Sequence, residues 1–91
     1  MKTMRVQRKA VTADTPVTFT FESAGSQFLV KNFTNNPITV GILGQSLIIP
    51  ANSAQLIATR IDPPVSDLTD TLTVTAVVTD AMGVEIQCLN Y

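Results

Sequence analysis

Side chains along this chain alternate with a period of two, and apolar doublets interrupt the alternation. Val17-Thr18-Phe19-Thr20-Phe21-Glu22 and Thr71-Leu72-Thr73-Val74-Thr75-Ala76 alternate cleanly. That period sends successive side chains to opposite faces of an extended segment, so it predicts half-buried strands rather than helices. Phe28-Leu29-Val30, Ile42-Leu43, Leu47-Ile48-Ile49, Leu56-Ile57 and Val77-Val78 break the pattern by putting apolar groups on both faces. A two-layer β domain needs one apolar face per sheet, because the other faces water. The surplus predicts one of two things. Either some outer surface is covered by another molecule, or the doublets mark bulges and sheet corners where both faces are buried.

Turn residues separate the alternating segments. Ser23-Ala24-Gly25-Ser26, Thr34-Asn35-Asn36-Pro37, Gly44-Gln45, Pro50-Ala51-Asn52-Ser53 and Asp80-Ala81-Met82-Gly83 read as turns. Asp62-Pro63-Pro64-Val65-Ser66-Asp67 is the longest irregular piece, since paired prolines cannot lie in a central strand. Breaks recurring about every ten residues predict an all-β chain of seven or eight short strands in a single antiparallel β-sandwich, immunoglobulin-like or jelly-roll-like. The short loops predict hairpins between consecutive strands, including one closed by Asp80–Gly83. Val17, Phe19, Phe21, Leu72, Val74, Ala76, Val78, Val84, Ile86 and Cys88 are the expected core. A chain of 91 residues holds one such domain. The predicted organisation is a basic N-terminal arm or edge strand over residues 1–11 and a β-sandwich over residues 12–91.

Charge is sparse, at 14% of residues, and unevenly placed. Lys2, Arg5, Arg8 and Lys9 lie within the first nine positions, while the remaining chain sets Lys31 and Arg60 against seven acids. Such an arm suits an acidic partner surface or a neighbouring subunit. A solvated terminus accounts for it equally. The acidic body opposes phosphate, and no exposed aromatic residues interleave with lysine or arginine, so nucleic acid is not the expected partner. No apolar run is long enough for a secretory leader or a membrane span.

The residues that carry chemistry are scarce. The chain has no histidine, which removes the commonest general base and a common metal ligand. Cys88 is its single cysteine and is in phase with Val84 and Ile86, as a small core residue would be. Asp62, Asp67 and Asp70 do not match the spacing of a calcium loop. Asp80 and Glu85 could face each other across a hairpin, but a hairpin tip offers no cleft to raise the pKa of either one. No cofactor, metal or catalytic residue is expected. With no tryptophan and its one tyrosine at the end, the chain also lacks the usual sugar platform.

Three segments together resemble a known group. They are Phe28–Gly41 (FLVKNFTNNPITVG), Ile48–Ile57 (IIPANSAQLI), and the ending from Thr71 through Gly83-Val84-Glu85-Ile86-Gln87-Cys88-Leu89-Asn90-Tyr91. They are similar to small β-sandwich accessory proteins of tailed bacteriophages and prophages. In those, a strand ends in V-x-N and an I-P-x-x-S turn precedes a later strand. The likeness covers about two-thirds of the chain. It implies a virion role such as head decoration, head fibre or tail-associated component, located in the virion or in the host cytoplasm during assembly. It carries over no catalytic residue.

The expectation from sequence is therefore a non-enzymatic structural protein that oligomerises or docks on other virion proteins. Its contacts would come from Ile48, Ile49, Val77 and Leu89, with Arg5, Arg8 and Lys9 steering onto acidic surface. The alternative is a β-sandwich module that binds a carbohydrate or receptor.

Overall fold

A computed structural model describes residues 5–59 and 68–89. The described chain forms eight strands: β1 (Val6–Val11), β2 (Val17–Gly25), β3 (Gln27–Asn32), β4 (Ile38–Ile42), β5 (Gln45–Ile49), β6 (Ala54–Ala58), β7 (Thr69–Ala76) and β8 (Asp80–Cys88). They build two antiparallel four-stranded sheets, ordered β1-β8-β3-β6 and β2-β7-β4-β5. That is the strand order of a jelly roll, which decides between the two sandwich types the sequence left open.

Only β4 and β5 are consecutive strands paired as a hairpin; every other connection passes from one sheet to the other. The remaining hairpins expected from short loops do not form. A short loop limits how far apart two strand ends lie, but four extended residues reach roughly 13 Å, enough to cross the roughly 10 Å between packed sheets as well as to reach a neighbouring strand. Thr34–Pro37 thus leads from β3 across to β4. Asp80–Gly83 is the bulged start of β8, not a hairpin loop. The β1–β8 register moves from Lys9↔Val84 to Val11↔Asp80, so extra β8 residues are accommodated opposite Ala10. Gly83 has φ +63° there and lies under the β1 backbone.

The core is the shared interior of the two sheets. Phe19, Phe28, Ile38, Val40, Ile49, Leu72, Val74, Val84 and Ile86 are fully buried, and the rings of Phe21 and Phe28 meet at 5.8 Å. The expected inward phases of β2, β7 and β8 agree with this. Val78 is half-buried and lies beyond the end of β7. Cys88 is buried.

One corner is tied by a buried amide. Asn32 Nδ2 donates to the carbonyls of Asn36 (2.9 Å), Pro50 (3.0 Å) and Ile49 (3.4 Å). Its Oδ1 accepts from Thr34 N and Thr34 Oγ1, and Asn32 N donates to Ser53 O at 2.8 Å. The V-x-N strand end and the I-P-x-x-S turn are thus two halves of one hydrogen-bonded corner. Every buried partner is satisfied there, which fixes the turns without side-chain chemistry to spare.

Candidate association surface

The strand registers define the outer face of the β1-β8-β3-β6 sheet row by row. One row runs Arg8–Glu85–Lys31–Ala54, and the next runs Val6–Gln87–Leu29–Leu56. The first is a charge cluster closed on itself. Glu85 pairs with Arg8 at 3.3 Å and Lys31 at 3.5 Å, and Gln87 Nε2 donates to it at 2.9 Å. The Gln87 amide and the two cations hold the Glu85 carboxyl below its ordinary range, against a smaller upward push from burial. The Arg8 guanidinium also lies 4.5 Å over the Phe33 ring.

The second row is largely apolar. Leu29 and Leu56 are direct cross-strand neighbours; Leu29 is half-buried, and Leu56 remains 54% exposed. Ala54 and Ala58 flank Leu56 on the same exposed face of β6, and Val6 and Leu89 add exposed apolar surface to this sheet. The doublets Phe28-Leu29 and Leu56-Ile57 each send one member into the core and the other out.

The two sides of the sandwich end differently. On the β1/β2 side, Lys9 and Gln7 occupy inward positions of the edge strand, opposite buried Val84 and Ile86. Lys9 Nζ donates to Thr18 O at 2.8 Å and Gln7 Nε2 donates to Thr20 O at 2.6 Å, so both side chains satisfy carbonyls on the edge of β2. Inward-pointing polar groups of this kind discourage further strand addition. On the β5/β6 side, Gln45 and Gln55 hold the corresponding inward positions, opposite Ile42 and Val30. Neither Gln45–Ile49 nor Ala54–Ala58 contains a charge or a proline. A crevice of about 210 Å³ lies there, walled by Ile42, Leu47 and Ile57.

The expected contact residues do not form one patch. Ile48 is 70% exposed on the outer face of the β2-β7-β4-β5 sheet, beside Thr39. Val77 is exposed just past β7, and Leu89 is exposed just past β8 in the other sheet. Ile49 is a correction: it is fully buried, because β5 turns Leu47 and Ile49 inward and only Ile48 outward. Lys9 and Arg8 are not free steering cations either, since one caps the β2 edge and the other is bound to Glu85 and Phe33. Arg5 is exposed at the start of the chain described, and its carbonyl accepts from Cys88 N at 2.7 Å. Leu29 and Leu56 were not singled out from sequence. Their doublets were the available signal, but a doublet does not say which member faces out.

Nothing in the described residues assembles a reactive centre. Asp80 and Glu85 lie on the same strand, not across a hairpin, and Asp80 Oδ1 accepts from Met82 N at 2.8 Å. Among the described residues no three His, Cys, Asp or Glu side chains gather as a metal site; Asp62 and Asp67 lie outside those residues. An open hollow of about 200 Å³ beside the Asn32 corner is lined by Lys31, Phe33, Asn52 and Ser53. Comparison of the chain with protein-family models, curated proteins and solved structures gives no match.

Proposed function

We propose that this protein is a non-catalytic assembly component, a jelly-roll unit that associates through apolar outer surface with its own copies, alone or within a larger particle. The observation that carries the reading is exposed Leu56 beside half-buried Leu29 on the outer face of a sheet whose inner face is already sealed. An apolar pair of this kind beside an uncharged edge suits association better than solvent. The resemblance to phage accessory proteins makes a virion component, decorating the head or associated with a head fibre or tail, the specific form of the proposal. The jelly roll is compatible with it, since viral capsid domains use this architecture, although fold alone does not assign function. The carbohydrate-binding alternative draws little support. Phe19, Phe21 and Phe28 are buried, and Arg8 covers the Phe33 ring.

The test is static light scattering of the full chain and of a Leu29→Thr/Leu56→Thr variant, with unfolding measured alongside. Association by the wild type, lost in a variant that still folds, supports the proposal. A wild type that stays monomeric from micromolar to millimolar concentration overturns it.

A further inference from the structure

We propose that the free edge of β6 pairs with β6 of a second copy, antiparallel about a two-fold axis at Leu56, joining two four-stranded sheets into one. This deepens the assembly reading above and rests on it. The argument begins with the backbone register. Asn32 N donates to Ser53 O and Thr59 N donates to Ser26 O, each at 2.8 Å. These bonds bracket the pairs Lys31↔Ala54 and Gln27↔Ala58, so both are the non-hydrogen-bonded type of an antiparallel ladder. Alternation makes Leu29↔Leu56 the same type. The N–H and C=O groups of Ala54, Leu56 and Ala58 therefore point away from β3, toward an edge that no described strand pairs with.

A second copy matches that edge by symmetry. With the two-fold at Leu56, Leu56 faces Leu56 of the second copy and exchanges both backbone bonds with it. Ala54 and Ala58 exchange theirs with Ala58 and Ala54 of the second copy. An isologous contact of this kind closes as a dimer and leaves no open repeat. The side chains agree with the backbone. Ala54, Leu56 and Ala58 share the outer face, so the apolar pair continues as Leu29–Leu56–Leu56–Leu29 across the seam. No charge on β6 opposes another, and the Lys31 row meets only alanine and then Gln27 of the second copy. On the opposite side of the sandwich, Lys9 and Gln7 already occupy two carbonyls of the β2 edge. Main-chain bonds would set the register, and the leucine pair would supply apolar contact.

The experiment is residue-resolved amide exchange on the full chain across the micromolar to millimolar range, with mass measured by sedimentation equilibrium in the same samples. The proposal predicts a dimer whose Ala54, Leu56 and Ala58 amides exchange more slowly as concentration rises, by on the order of 100-fold. Leu56→Lys, and independently Ala58→Pro, should give folded monomers in which that protection is gone. Association with these three amides unprotected overturns the pairing but leaves the assembly reading standing. Protection of the three amides in a monomer, independent of concentration, means the chain covers its own edge and overturns the pairing. A monomer without protection overturns both.

Discussion

Gly83 and Gly44 provide a controlled test of how the jelly roll is closed. Both have positive φ, +63° and +77°. An added Cβ at Gly44 meets nothing within 4 Å, because that residue caps the β4–β5 hairpin in solvent. At Gly83 the same atom would lie 1.9 Å from Lys9 O, 2.7 Å from Lys9 C and 2.8 Å from Ala10 Cα. Those neighbours are backbone and cannot rotate aside. Left-handed backbone costs a non-glycine residue roughly 1–2 kcal/mol, and both variants bear that cost. Gly83→Ala must in addition displace β1, at an overpacking cost of roughly 1–3 kcal/mol. The expected losses are therefore about 1 kcal/mol for Gly44→Ala and about 3–4 kcal/mol for Gly83→Ala. For a domain whose whole stability is about 5–10 kcal/mol, the second is a large fraction. Urea unfolding followed by circular dichroism measures both. With m about 1 kcal/mol/M, the midpoint falls by about 1 M in one variant and by about 3 M in the other. Equal losses would refute the close passage of β1 over the bulge, and with it the edge position assigned to Val6–Val11.

Other substitutions probe other parts of the fold. Leu43 has φ +51° and is exposed in the two-residue β4–β5 turn, so Leu43→Asn should raise stability by about 0.5–1 kcal/mol in the same urea assay. Lys9→Met keeps the stem near Phe19 but leaves Thr18 O without its donor; a loss of about 1 kcal/mol is expected, with more aggregation from the β2 edge, both readable by unfolding and turbidity. Asn32→Asp replaces a buried donor with an acceptor that faces three carbonyls, so it should cost about 3 kcal/mol at neutral pH, measured by thermal or urea unfolding. Glu85 has a lowered pKa in the folded protein, so its contribution is present above its ordinary value near 4.5 and is lost as pH falls through the lowered one. Wild type should therefore exceed Glu85→Gln in stability at neutral pH, and the two should converge in acid.

Strand number and most inward phases were readable because Thr18–Phe19–Thr20 and Leu72 through Ala76 alternate without interruption. Pairing was less readable. Sequence neighbours suggest hairpins, whereas burial of two apolar sheet faces against each other selects crossings between sheets, and no local signal distinguishes them. Within Leu47-Ile48-Ile49 the phase could not be read from three equally apolar residues, which is why Ile49 was expected at the surface and lies in the core. Lys9 reads as a surface cation, because even for an edge strand nothing local shows that its side chain turns inward onto the β2 carbonyls. The Leu29–Leu56 row needed the β3–β6 register, a long-range pairing.

The central claim is that apolar outer surface drives association, and dilution calorimetry of the full chain at several temperatures tests it most directly. Apolar burial carries a negative heat-capacity change on association. The account predicts a measurable heat of dissociation that becomes more endothermic as temperature rises, and a much smaller signal in Leu29→Thr/Leu56→Thr. A wild type with no dissociation heat at any temperature, or one whose heat does not vary with temperature, would contradict it.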